Sequence, residues 1–200
     1  MKIAFVTARP PYPPDSGGRI RTFQLLREVC GVHEVTLMTA SEKRSDELAL
    51  AALETAIPRL NVRAVGIAPE TPLGRLGRAA RNPVDSLPYT WARYRHPRHI
   101  AHVQDTLREG RYDVIHCDHV QMAHVFAGLA TAPRVLNAHN VESLLIQRIA
   151  AKARPWWRRM AIGWQASKVL KAERRAYRLF DRCLAVSEAD AAEIERLVPG

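Results

Sequence analysis

The 200 residues are 47% hydrophobic and carry 30 Lys and Arg against 20 Asp and Glu, a formal net charge of +10. That length and apolar content suffice for a core without disulfides. The three cysteines, Cys30, Cys117 and Cys183, show no C-x-x-C spacing, which argues against a zinc site or disulfide framework and fits a reducing compartment.

No apolar run approaches the roughly 18 residues of a membrane span, and no charged-then-apolar leader precedes the first strand. A soluble, cytoplasmic protein is expected. The positive balance implies attraction to polyanions or anionic membranes. Arginine exceeds lysine, which suits phosphate forks, although GC-rich coding produces the same excess without any partner.

Ile3–Thr7 is a strand-length apolar run, followed by the proline-rich loop P-Y-P-P-D-S and then Gly17-Gly18. Ile20, Phe23, Leu26 and Val29 then recur at helical spacing up to about Cys30. His33–Thr39 predicts a second strand, Glu42–Leu60 a helix with Pro58 near its end, and Asn61–Ile67 a third strand. Strand alternating with helix predicts a parallel sheet. Residues 68–98, rich in proline and arginine, predict a basic helical excursion on the sheet's rim inside one domain spanning 1–200.

A helix over Arg98–Glu109 precedes the nearly all-apolar strand Tyr112–Cys117, as expected of a sheet covered on both faces. Val120–Leu129 predicts a short helix and Arg134–Ala138 a strand. A long helical stretch, Val141–Phe180, is expected to break at Pro155. Within it, Trp157, Met160, Ala161 and Trp164 share one face among basic residues. The spacing favours core contact with a solvated opposite face, and a membrane-interface helix is the other reading. Cys183–Val186 predicts the last strand, and Ser187 with Asp190 three residues on is a capping pattern for a helix to Leu197. The sequence stops at Val198-Pro199-Gly200, where another strand is expected.

Three loops, Asp15–Arg21, His116–His119 and His139–Ser143, fall at carboxyl ends of strands, where an open parallel sheet binds ligands. Gly17 and Gly18 let backbone N–H groups approach an anion at a helix N-terminus, or serve an ordinary loop by supplying positive φ. Neither G-x-G-x-x-G nor G-x-x-x-x-G-K-[ST] occurs, which disfavours dinucleotide and P-loop binding. Arg19 and Arg21 are placed to meet a phosphate or to stand in solvent.

His139, beside Asn140 and Glu142, is positioned to donate to developing charge or to a sugar hydroxyl, or to be satisfied by nearby backbone. Asp118 and His119 raise a metal reading with His116 and His139. Yet His116 alternates toward the interior and no helix places ligands at i and i+4, so no metal is expected. No nucleic-acid-binding motif is present.

The runs K-I-A-F-V-T…P-Y-P-P-D-S-G-G-R-I-R, Y-D-V-I-H-C-D-H, V-L-N-A-H-N-V-E-S and L-A-V-S-E-A-D resemble, in order and spacing, the N-terminal domain of GT-B glycosyltransferases of the retaining family 4. The likeness is nearest to sugar transferases of bacterial exopolysaccharide clusters. The resemblance implies the Rossmann-like, doubly wound half of a GT-B enzyme that binds acceptor, with a nucleotide-sugar donor as substrate and no cofactor. It matches Gly17 and Gly18 to the glycine loop at the donor diphosphate, and His139 to a histidine near the reacting sugar. It also matches Asp118 and His119 to an acceptor loop, and Ser187 to a serine near the interdomain cleft. Arg21, Asn140 and Glu142 complete the expected acceptor and diphosphate site.

The family's E-x7-E-type donor motif belongs to a C-terminal domain that does not follow here, so this half alone is not expected to transfer sugar. The acceptor is expected to be a glycan or a lipid-linked sugar, at the inner face of the plasma membrane where basic helices meet anionic lipid. Two other readings stand beside this one. The first is a non-catalytic membrane- or partner-binding module needing a separate donor-binding chain, and the second is a flavodoxin-like phosphate binder.

Overall fold

The computed structural model describes residues 1–129 and 132–199; Gly200, the last residue of the expected domain, lies outside them. Its six strands are β1 (Lys2–Val6), β2 (Glu34–Ser41), β3 (Leu60–Gly66), β4 (Val114–Asp118), β5 (Arg134–Asn137) and β6 (Arg182–Leu184). They pair in parallel in the order β3-β2-β1-β4-β5-β6. This is a doubly wound Rossmann-like sheet, and its winding reverses between β1 and β4.

Alternation along β1 divides the core. Ile3 and Phe5 join Leu26, Val35, Leu37 and Leu53 on the face covered by α1 (Gly17–Val32) and α2 (Arg44–Ala56). Ala4 and Val6 join Val103, Ile115, Phe126 and Val169 on the other face. Successive side chains of a strand point to opposite faces, so a sheet covered on both sides reads as continuous apolar sequence. The edges are less apolar. β3 exposes Asn61, Arg63, Ala64 and Gly66, and the Arg63 carbonyl lies 3.1 Å from His102 Nε2. β6 has three residues, among them Arg182.

Between β3 and β4 lie α3 (Pro72–Arg81), α4 (Tyr89–Ala92) and α5 (Pro97–Glu109). Arg78 holds this segment together by forking onto Glu70 at 2.8 Å while donating to the Tyr89 carbonyl. Its guanidinium lies 4.0 Å from the Tyr89 ring centroid, a cation–π distance.

After β5 come α6 (Glu142–Lys152), α7 (Trp156–Tyr177) and, past β6, α8 (Glu188–Leu197). The break expected at Pro155 is present. Pro58 falls just outside α2, and β6 runs one or two residues earlier than the sequence suggests. The short helix expected over Val120–Leu129 is present as a 3₁₀ helix over Val120–Phe126. Val120, Met122, Ala123, Val125 and Phe126 are all buried there, so no single stripe at a period of 3.6 selects the α form.

The expectation of core contact for the tryptophan face is overturned. Trp157 is 58% exposed, Met160 66% and Trp164 45%, with Trp156 at 73%. α7 has 22 residues, a length of about 33 Å, and its buried residues begin only at Ala166. The first turns of α7 therefore present this face to solvent instead of to the core.

Candidate functional site

Beyond the carboxyl ends of β1 and β4, at the reversal of winding, the structure brings the three loops together. Their hub is Asp118, the last residue of β4 and only 1% exposed. Its Oδ1 accepts from Asn137 Nδ2 at 2.8 Å and His139 Nε2 at 2.9 Å. Its Oδ2 accepts from Thr22 Oγ1 at 2.8 Å and His119 Nδ1 at 3.0 Å. Four donors fill the acceptor capacity of one carboxylate. Burial pushes the carboxyl pKa up, but the hydrogen bonds and charges of His119 and His139 outweigh it and hold Asp118 well below the usual carboxylate range.

The two imidazoles stack, with centroids 3.9 Å apart and planes 4° from parallel. With Asp118 ionised, each donates one ring N–H to it, and this network assigns the tautomers. The remaining nitrogens, His139 Nδ1 and His119 Nε2, then face the start of α1. A methyl group on Gly18 would lie 3.5 Å from the first and 3.7 Å from the second. Burial opposes protonation of His119, but its hydrogen bond to Asp118 prevails and raises its pKa.

The backbone of His119 has φ 85° and ψ 129°, the one positive φ of a non-glycine among the described residues. Such a conformation costs on the order of 1–3 kcal/mol and persists only where its surroundings enforce it. Here the His119 N–H donates to the Asn137 carbonyl at 3.2 Å while the ring is bonded and stacked. Gly17 and Gly18, by contrast, occupy the first turn of α1 without positive φ, which removes the loop-conformation reading for them. Gly18 admits the imidazole edges, whereas Gly17 has no atom within 4 Å of the position a Cβ would take.

Arg21 Nε donates to Asn137 Oδ1 at 3.0 Å, which ties α1 to β5. Arg19 pairs with Asp15 at 3.0 Å across the first turn. Glu142 is half-buried, with Gln121 and Asn140 as hydrogen-bonding neighbours and His119 and His139 near enough to influence it. Burial raises its pKa despite these groups. Asn140 is exposed. Ser187 caps α8, accepting from the Asp190 N–H at 3.1 Å and donating to its carboxylate at 2.7 Å, so its hydroxyl is engaged in helix structure. His116 is buried and stacked on Phe5 at 4.1 Å, apart from the imidazole pair. Burial first, then His139 and Arg21, bring its pKa down to about 4 against the pull of Asp118.

Three residues of the site escape the sequence reading. Thr22 Oγ1 also lies 2.9 Å from the Gly18 carbonyl, the competing acceptor for its single proton, and nothing distinguishes it from any threonine one turn into a helix. Asn137 does carry a signal, as a fully buried amide closing the apolar strand β5. Glu173 also carries one, as the only acid from Lys152 to Arg175. It is 0% exposed and accepts from the Glu142 N–H and from the Ser143 N–H at 3.0 Å, with Tyr177 Oη at 3.2 Å. It thus caps α6 from a distance and fixes the loop that carries His139.

Asp118, His119 and His139 each offer a ligand atom, all within 4.8 Å of one another. A bound ion must lie in the plane of each coordinating imidazole, and two stacked parallel planes do not meet at such a point. The geometry suits imidazoles bonded to a carboxylate better than ligands converging on a metal. A cleft of ≈ 180 Å³ opens beside them, walled by Arg9, Ser16, Gly18, Tyr94, His119 and Gln121. His139 does not line this cleft; in the neutral state the free nitrogen of His119 accepts there from a hydroxyl group, and its protonated ring donates to a phosphate oxygen.

No curated protein matches the chain. The sequence profile described as Glycosyltransferase Family 4 matches residues 16–199, from the residue before α1 to the end of the described structure. The chain therefore belongs to glycosyltransferase family 4.

Proposed function

We propose that this domain binds the acceptor in a retaining glycosyltransferase that moves a sugar from a nucleotide-sugar donor onto a glycan or lipid-linked acceptor. The context proposed is bacterial exopolysaccharide or cell-surface polysaccharide synthesis. The observation that carries the proposal is the imidazole pair, held by one buried carboxylate and facing Gly18 at the winding reversal of a family 4 sheet. His139 orients the reacting sugar or donates to it, and His119, stacked on it, stands at the cleft wall. The backbone at Gly17–Gly18, with Arg21 and the Asp118–His119 loop, faces diphosphate and acceptor, and Asn140 and Glu142 border them.

A second domain supplies the donor-binding groups in this proposal. Charge on the departing diphosphate is then met by preorganised donors of both halves, without a metal. His139→Ala in the protein carrying both halves should lower turnover at least about a hundredfold with unchanged folding. Unchanged turnover would remove His139 from the mechanism.

Among the described residues no helix is long and apolar enough to cross a membrane. A cytoplasmic position, peripheral on the inner face of the plasma membrane, belongs to the same proposal and is supported by the exposed, basic α6–α7 turn. The rival reading, a non-catalytic membrane- or partner-binding module, rests on that surface alone. It requires that Asp118→Asn and His139→Ala be silent in every sugar-transfer assay of the complete system.

A further inference from the structure

One large surface lies outside the cleft, the turn from α6 to α7 and the first turns of α7, whose part in the proposed peripheral position is set by its chemistry. Trp156, Met160 and Trp164 follow at i, i+4 and i+8, and with Trp157 they fill an arc of about 100°. All four are exposed, from 45% for Trp164 to 73% for Trp156. Single exposed apolar residues are ordinary, but a contiguous patch of three tryptophans and a methionine marks a contact surface.

The charge around the patch has one sign. From Arg148 to Ala172 there are seven basic residues and no acid, and Arg154, Arg158 and Arg159 all stand exposed beside the tryptophans. The surface also extends onto the neighbouring helical segment. Gln165 and Lys168 of α7 bind the Asn82 side chain and carbonyl, and Lys168 also reaches the Asp85 carbonyl at 2.8 Å. Val84, between those anchors, is 89% exposed. α3, which ends just before Asn82, buries none of its residues and leaves Leu73 and Leu76 exposed among arginines.

We infer that this face docks onto an anionic lipid bilayer. The tryptophans and Met160 enter the headgroup boundary, and Arg154, Arg158 and Arg159 pair with anionic headgroups. Amphipathic aromatic rings settle at that boundary, and juxtaposed cations strengthen the attachment when the lipid is anionic. A second copy in the same place would oppose two surfaces of like charge. The inference rests on the proposed function only for its use. α6 starts at the His139 loop and ends at the tryptophan turn, and its 11 residues span about 16 Å, so docking holds the cleft close to a lipid-linked acceptor.

Flotation with vesicles tests it, using phosphatidylcholine alone and phosphatidylcholine with about 30 mol% phosphatidylglycerol. The wild-type chain should partition at least about tenfold more strongly onto the anionic vesicles, and raised salt should reverse the gain. The triple variant Trp156→Ser, Trp157→Ser, Trp164→Ser should lose at least about tenfold while melting as the wild type does, because these side chains are already exposed. Equal partition onto both vesicle types, or wild-type binding by the triple variant, overturns the inference. A wild-type dimer that the triple variant dissociates in sedimentation also overturns it, by placing a second copy on this face. The assay involves no sugar transfer and His139→Ala should leave it unchanged, so failure of docking and failure of the glycosyltransferase proposal are read separately.

Discussion

Replacing Asp118 with Asn tests the hub of the site while keeping its shape. Asn offers one acceptor oxygen and one amide donor where the carboxylate offered two oxygens. The oxygen stays with Asn137 Nδ2 and His139 Nε2, since turning the amide would set donor against donor. The amide then faces Thr22 and His119. Thr22 accepts it while donating to the Gly18 carbonyl, whereas His119 must shift its proton from Nδ1 to Nε2. Four bonds to an ionised acceptor become neutral ones, at about 1 kcal/mol each, so Asp118→Asn should cost about 4 kcal/mol.

The loss should depend on pH in a defined way. The depressed pKa of Asp118 gives stability that is present above about pH 4, its unfolded value, and lost as pH falls through the lower folded one. The raised pKa of His119 gives stability that is full below about pH 6.5 and lost as pH rises through its folded value. Wild type should therefore exceed the variant most between about pH 4 and 6.5, with the difference shrinking on either side. Urea denaturation at about pH 5.5 and about pH 8.5 measures both. A difference below about 0.5 kcal/mol at pH 5.5, or one that grows toward alkaline pH, would refute the assignment of Asp118 as the holder of both rings.

Other substitutions probe the same frame. His119→Gly relieves the positive φ that His119→Ala retains, so the Gly variant should be the more stable of the two by about 1 kcal/mol on thermal melting, against the usual order. Glu173→Gln leaves one acceptor oxygen for the two amides of α6; a loss of about 2 kcal/mol and faster hydrogen exchange at Glu142 and Ser143 are expected, and unchanged exchange would count against the remote cap. His99 and His116 are buried, and burial brings each pKa from 6.5 down to about 4. Because the unfolded chain binds these protons first, stability should fall by up to about 3 kcal/mol per residue as pH drops from 6.5 to 4, and His99→Gln should remove about half of that slope in pH-dependent melting.

The sheet was legible because each strand is a short apolar run and each helix shows its period, and the parallel order then places three loops on one edge. Gly18, Asp118, His119 and His139 could be selected because polar residues at strand ends in such a sheet have few other uses. The partners that fix them were hidden for a physical reason. Thr22 sits at a helical position any sequence tolerates, and Glu173 lies 31 residues from the loop it caps. The spacing of the tryptophan face does not reveal its exposure, because helical spacing shows that residues share a side and says nothing of what that side meets. Ser187 shows the opposite case, since its capping pattern is local and the structure satisfies it locally.

The two sheet borders bear on how this basic, tryptophan-bearing domain behaves when concentrated. An unpaired strand border recruits other chains when it is long, flat and apolar. β3 instead presents Arg63 and other exposed residues, with His102 already beside one of its outward carbonyls. β6 offers three residues and an arginine. Neither border is a template for strand addition, so fibril-type growth from the sheet is not expected even when the domain is concentrated.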